Sequence, residues 1–354
     1  MRFHHGSDYR SHYLPLAARR CYRLAFATTL SLALCYGLDI GIPFVAPVFA
    51  VLVASAPAPP PDGPAALGLV LFMAAALTIG ILIGPLLQQA PFTALLIIAA
   101  GTYFSHRLAI SGGKPLPGTL LALGFTVIPA ADVASSALAS ALVEALVLGL
   151  AIAIFSLWMV YPFFPEDTAP ARPEKSDTVS DDHWLCLRAT LVVLPAFAFT
   201  LTNPTTNLPF LVKSILLGRE ASDLQLRHAG RELVGSTLAG GLLAITVWWC
   251  LGFAVELWFF SAWILLVSLF VAAGCYQVFR NRFSPGFWSN ALMNMLILLG
   301  AAVQDSAAGK DVYQAFMVRM SLFLLVAVYA LVTMQLLEWW RRRRRQARNC
   351  RRSQ

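Results

Sequence analysis

Apolar runs alternate with short polar breaks along almost the whole chain. They fall at about 24–38, 42–56, 66–88, 92–105, 117–130 and 137–161, and again at about 187–202, 205–217, 233–251, 256–275, 286–303 and 316–339. A helix needs about 20 residues, at about 1.5 Å each, to cross about 30 Å of hydrocarbon. Most of these runs approach that length, and several fall short of it. Between the two sets lies PFFPEDTAPARPEKSDTVSDDHW, residues 162–184, whose prolines and carboxylates read as a solvated linker. The pattern predicts an all-α polytopic membrane protein of about twelve transmembrane segments. It divides into a basic leader (1–22), a first membrane half (23–161), a linker (162–186), a second membrane half (187–339) and an Arg-rich tail (340–354).

Composition agrees, with 58% hydrophobic and 12% charged residues, half the charge usual in soluble domains, about 25%. The net charge of +8 is a matter of placement. Arg2, Arg10, Arg19, Arg20 and Arg23 precede or open the first run, and eight of the 26 Lys and Arg residues lie in 341–352. Basic blocks beside apolar segments set topology and meet lipid headgroups, so nucleic acid is not the expected partner. With twelve segments and a cytoplasmic start, 23 of the 26 cations fall on the cytoplasmic side, the exceptions being Lys213, Lys310 and Arg319. Both ends are therefore expected in the cytoplasm of a bacterial inner membrane. The six cysteines are scattered without paired spacing and read as reduced thiols.

The halves resemble one another. RLAFATTLSLAL begins at Arg23 and RATLVVLPAFAF at Arg188; Pro43-Phe44 follows the first by 20 residues and Pro209-Phe210 the second by 21. Each Pro-Phe opens a short segment. The third segments are rich in small residues, Gly80 and Gly84 in one and Gly235, Gly240 and Gly241 in the other, where helix backbones are expected to pack closely. Six segments per half give the halves one orientation, as two parallel six-segment repeats.

The Arg-led first helix, the short segment after Pro-Phe, and the stretch GREASDLQLRHAGRELVGSTLAGGLLA resemble the fusaric acid resistance-like (FUSC) membrane domain of the aromatic acid exporter superfamily. The pattern R-x(2)-E-L-x-G-S-T-x-A-G-G from Arg231 carries most of that resemblance. The resemblance implies an inner-membrane exporter of small, often aromatic, carboxylic acids, a type that frequently works with a periplasmic adaptor. The linker, about 25 residues, is far shorter than the cytoplasmic domain of longer members, as in a membrane-only branch.

The chemistry visible in the sequence is sparse. SGGKP at 111–115 lacks the glycine spacing of a phosphate-cradling loop, and its proline follows the lysine. The six histidines fall in tails and loops, and no metal-ligand spacing or catalytic constellation stands out, so neither a cofactor nor an enzyme is expected. Energy would come from an ion gradient, most simply protons. Ionisable groups inside a membrane cost about 2.5–3.5 kcal/mol each on insertion scales and call for a reason. Glu144, seven residues into the sixth run, reads as a buried carboxyl that could carry protons or as a paired outer-leaflet residue. Arg319 could face Glu144 or reach outward to the interface, where Glu256 is also expected. Lys213 lies one turn beyond Pro209. With the helix start near Asn207–Pro209 it could hold a substrate carboxylate while Phe44 and Phe210 hold a ring. Alternatively its stem snorkels to the cytoplasmic face. Two functions stay open at this point: a proton-coupled exporter of organic anions, alone or as a homo-oligomer, and a non-transporting membrane scaffold of an envelope or efflux complex.

Overall fold

The computed structural model describes residues 14–56, 58–166, 179–220 and 226–352. Among them the chain forms twelve helices: α1 (Leu16–Gly37), α2 (Val45–Ala54), α3 (Gly63–Gln89), α4 (Pro91–Ile110), α5 (Pro115–Ala134), α6 (Ser136–Val160), α7 (Val179–Thr202), α8 (Pro204–Glu220), α9 (Leu226–Leu251), α10 (Leu257–Cys275), α11 (Pro285–Ala307) and α12 (Val312–Arg352). Nine are long and apolar enough to cross a membrane: α3 to α6, α10 and α11 in full, and α7, α9 and α12 over His183–Thr202, Glu232–Leu251 and Val312–Leu337. The other three differ for separate reasons. α1 holds Arg19, Arg20 and Arg23 near its start. α2 has only 10 residues and α8 17.

The boundaries differ from the sequence expectation in three places. Residues 179–186, expected in the linker, already belong to α7. α8 opens at Pro204 rather than near Asn207, and the Arg-rich tail continues α12 as helix. Arg2, Arg10, Arg172 and Lys175 lie outside the described residues.

Helix starts follow local chemistry. Proline occupies the first or second position of α3, α4, α5 and α11, where its missing N–H has no intrahelical partner to lose. Ser135 caps α6, its Oγ accepting the Leu138 N–H at 3.0 Å, and Ser284 caps α11, accepting from Phe287 at 3.2 Å.

The helices pair in a regular scheme. α1 packs on α2 and α7 on α8; α3 packs on α5 and α9 on α11; α2 packs on α6 and α8 on α12. Across the linker, α1 packs on α10 and α7 on α4, while α2 meets α11 and α8 meets α5. The apolar core follows this interlacing. One buried cluster joins α3 to α6 with residues of α7 and α8, and the other joins α1 with α9, α10 and α11. The first helix of each half thus sits in the core of the other.

Small residues make these contacts possible. A Cβ on Gly80 would overlap the Gly124 carbonyl oxygen, and one on Gly124 would overlap that of Ala76, so α3 and α5 meet backbone to backbone. A Cβ on Gly240 would come 2.6 Å from the Ala291 carbonyl oxygen of α11.

Side-chain contacts define two ends of the bundle. At one, Arg20 and Arg23 reach Glu166, the Tyr276 hydroxyl donates to the Ala54 carbonyl at 3.2 Å, and Trp158 Nε1 donates to the Pro61 carbonyl at 2.9 Å. At the other, Tyr36 meets Phe260, Gln304 Nε2 donates to the Gly41 carbonyl at 2.9 Å, and Arg319 meets Asp305.

Candidate functional site

The two short helices converge. α2 and α8 both line one cavity of about 230 Å³, completed by α5, α6, α11 and α12. Its wall is almost wholly apolar: Phe49 from α2, Val127 from α5, Leu146 from α6, Val212 from α8 and Met293 from α11, with Phe44 at the lip of α2. Three lining residues are polar: Thr119, Gln304 and Arg319. Among the described residues of the wall, Arg319 is the only charged one. An apolar pocket with one or two convergent polar groups is the usual form of a small-molecule site.

Each polar group is held. Thr119 donates to the Pro115 carbonyl at 2.8 Å within α5. Gln304 is tied to Gly41, which joins the outer turns of α11 to the loop before α2. Arg319, with its side chain 24% exposed, ion-pairs through Nη1 with Oδ2 of Asp305, whose side chain is 6% exposed. Lys310 lies on the other side of that carboxylate, Nζ at 3.9 Å from Oδ1. The ring of Phe44 lies against Gly300, where any side chain would overlap it.

Of the residues expected to bind substrate, Phe44 lines the cavity. Leu208 and Val212 of α8 line it too, while their sequence neighbours Asn207 and Lys213 have other surroundings. Asn207 Nδ2 donates to the Phe199 carbonyl at 3.4 Å. Its backbone N–H donates to the Asn203 carbonyl at 3.0 Å, so the free N–H groups expected at 207–209 are already engaged within α8. Phe210 is buried against Phe199 and Tyr329, with ring centroids 5.0 and 6.5 Å away. Lys213 turns towards α9 and α12: it is 2% exposed, Nζ donates to Thr237 Oγ1 at 2.7 Å, and the ammonium stands 4.5 Å from the centre of the Phe323 ring. Thr237 in turn donates to the Leu233 carbonyl at 2.7 Å, which leaves its oxygen lone pairs for the lysine. Neither a snorkelling lysine nor a cavity-lining one, Lys213 is a buried cation clamped between helices.

Of the two readings of Glu144, the buried carboxyl does not hold, because the residue is exposed on α6. Leu142 and Leu146 line the cavity from one helix face, which turns position 144 to the bundle's outer side. Arg319 meets Asp305 rather than Glu144, the partner the sequence suggests. Glu256 precedes α10 and its carboxylate accepts from Trp258 Nε1. The five glycines expected at helix contacts lie against other helices: Gly80 on α5, Gly84 beside Asp132, Gly235 near Phe287, Gly240 on Ala291 and Gly241 on Met320. His106, read as a loop residue, is buried in the last turns of α4, because α4 continues to Ile110 beyond its apolar run.

Two acidic partners were missed, and each had a faint signal. Asp305 lies seven residues before α12 opens and Arg319 seven after, as a helical hairpin would pair them. Glu166 opens the polar linker and meets the basic start of α1, accepting from Arg23 Nη2 at 2.7 Å and from Arg20. Burial opposes ionisation of Glu166, but its hydrogen bonds and charge contacts with Arg20 and Arg23 outweigh this and hold the carboxyl below its usual range. Among the described residues no group of three or more His, Cys, Asp or Glu side chains is placed to hold a metal ion.

Residues 20–160, which are most of α1 through α6, match a family model described as a protein of unknown function (DUF2955). The FUSC family gives no match. No curated protein and no solved structure matches the chain.

Proposed function

We propose that this chain is an inner-membrane exporter of small organic anions, aromatic carboxylates foremost, that works by alternating access of two six-helix halves. The observation that carries the reading is the cavity: apolar walls to which both short helices contribute, with one guanidinium among the described lining residues. A ring would lie between Phe44, Phe49 and Met293, and its carboxylate would reach Arg319, whose planar fork suits two oxygens. The volume, about 230 Å³, suits a compact ligand.

The duplication is part of the proposal. It is supported by the packing scheme, in which a pairing recurs when six is added to both helix numbers: α3 on α5 and α9 on α11, α2 on α6 and α8 on α12. Counting past α12 back to α1, the contact of α1 with α10 becomes that of α7 with α4. The DUF2955 match ends where α6 ends, at the same dividing point. Broken or short helices at matching positions, meeting at a site between repeats, are a recurring transporter design. The end of the bundle bearing Arg19, Arg20 and Arg23 is assigned to the cytoplasm, because cytoplasmic flanks carry the excess of cations.

The drive is an ion gradient, with protons as the coupling ion. An inside-negative potential also favours outward movement of an anion by about 2.3 kcal/mol per charge per 100 mV. Glu144, on the outer side of α6, is the carboxyl tested for coupling, and a periplasmic adaptor is the proposed partner beyond the membrane. Proteoliposomes loaded with benzoate or a hydroxybenzoate test the reading. The wild type should release the anion when a potential or pH gradient is imposed, and Arg319→Gln should release it at least about tenfold more slowly. Absence of flux for every anion tried would sink the exporter and favour a scaffold. Flux that ignores Arg319→Gln would move the site elsewhere.

A further inference from the structure

A ligand carboxylate that takes Arg319 through both terminal nitrogens must displace Asp305, which already holds Nη1. Asp305 is almost wholly buried and its Oδ2 takes Arg319 Nη1, so the one charged residue among the described residues of the wall is engaged by the protein itself. A second cation stands ready on the same carboxylate. Lys310 Nζ is 3.9 Å from Asp305 Oδ1, longer than a hydrogen bond, and its side chain is 68% exposed and free to swing. Its backbone is fixed in place. Gly309 takes a left-handed φ of 69° at the end of α11, its N–H donating to the Ser306 carbonyl at 3.0 Å, and the Lys310 N–H donates to the Asp305 carbonyl at 2.9 Å. That pair of bonds is a helix-ending motif that only a residue tolerant of positive φ closes readily. Asp311 then caps α12, accepting from the Tyr313 and Gln314 N–H groups at 3.0 and 3.2 Å. The hairpin therefore holds Asp305 between one cation facing the cavity and one facing solvent.

The geometry points to Asp305 as a built-in competitor for the transported anion, with Lys310 as the cation that receives it. When a ligand carboxylate takes Arg319, Asp305 shifts to Lys310, so no buried carboxylate is left unpaired. When Asp305 returns to Arg319, the ligand is released. This deepens the exporter reading of the cavity and rests on it. A competitor lowers apparent affinity by the fraction of molecules in which Arg319 is open. If the pair holds in about nine molecules of ten, the apparent Kd is about tenfold weaker than the intrinsic one. A carrier needs such weakening, because a site that binds too tightly cannot discharge.

Equilibrium binding of radiolabelled benzoate to the purified, detergent-solubilised full chain tests the exchange, with size-exclusion profiles checking that each variant is folded. Asp305→Asn keeps the side chain's shape but removes its charge, and it should tighten binding by about tenfold. Lys310→Gln removes the receiving cation and should weaken binding severalfold. Opposite signs are the signature, since a pair that merely stapled α11 to α12 would leave the Kd of both variants within about twofold of wild type. That unchanged result, with binding still lost in Arg319→Gln, would overturn the competitor and leave the exporter standing. Should neither the wild type nor Asp305→Asn bind any aromatic carboxylate, the cavity reading itself falls, and the competitor with it.

Discussion

Lys213 shows how a membrane protein accommodates a buried amine. Its ammonium has Thr237 Oγ1 at 2.7 Å and the face of Phe323 at 4.5 Å. Both favour a cation, and the long stem packs as an apolar chain. Thr237→Val would remove the hydroxyl while keeping the shape, and should cost about 1–3 kcal/mol, the usual toll for stripping a partner from a buried polar group. Lys213→Met removes the charge together with its need for a partner, and should cost less than Thr237→Val. Thermal unfolding in detergent orders the two. The opposite order would mean that the lysine is held mainly by other contacts. Benzoate binding separates Lys213 from the cavity: Lys213→Met should keep the wild-type Kd where Arg319→Gln loses it. The sequence showed that Lys213 was an expensive residue and could not show its partner. Thr237 is 24 residues away, and only the packing of α8 on α9 and α12 brings the two together. The glycine-threonine pattern around Thr237 was noticed for its family likeness, while its hydroxyl was the part that Lys213 uses.

Among the elements, α3 and α5 show how much packing depends on missing atoms. Gly80 and Gly124 let the two backbones touch, so Gly80→Ala should drive the helices apart and destabilise by about 1–3 kcal/mol, as overpacking does. Gly68 lies on the same helix with nothing within 4 Å of a would-be Cβ. There the same change should be neutral or stabilising, by up to about 1 kcal/mol from helix propensity. Comparing the melting temperatures of the two variants isolates steric contact from propensity, and equal effects would refute the close crossing. Small-residue spacing made this crossing partly legible in the sequence. Helix ends were less so: α4 and α7 extend beyond their apolar runs because partly polar residues such as His106 and His183 still find shelter or partners in neighbouring helices. The corner between α1 and α6 carries a charge-dependent bond of another kind. Glu166 has a folded-state pKa below its ordinary 4.5, so its contribution is fully present above that value and is lost as pH falls through the depressed one. The wild type should therefore lose stability in acid below about pH 4.5 more steeply than Glu166→Gln, whose melting temperature should be lower than wild type at pH 7. Parallel melting curves for the two across that range would show that Arg20 and Arg23 are held without the carboxylate.

For the whole molecule, the parity of crossings decides which groups face which compartment. Among the described residues nine helices meet the length and hydropathy expected of a span, and nine crossings would leave the chain's ends on opposite sides. Contacts argue for an even number. α1 begins where α6 ends, since Arg20 and Arg23 hold Glu166, and it finishes at the far end, where Tyr36 meets Phe260. α1 thus traverses the bundle although its arginines keep it below a simple hydropathy threshold. α2 returns from Phe44 beside Gly300 to Ala54 beside Tyr276, covering in 10 helical residues and the flanking turns what longer helices do alone. α12 starts at the far end, beside Asp305, and runs for 41 residues, about 60 Å. That is about twice the hydrocarbon thickness, so α12 is long enough to carry its Arg-rich last turns to the side where α1 begins. Fluorescent-protein fusions to either end should both be bright in the cytoplasm of a bacterial host, and alkaline phosphatase inserted after Gly309 should be active in the periplasm. A bright N-terminal fusion with a dark C-terminal one would mean an odd number of crossings. The paired roles of α2 and α8 around the cavity would then have to be abandoned.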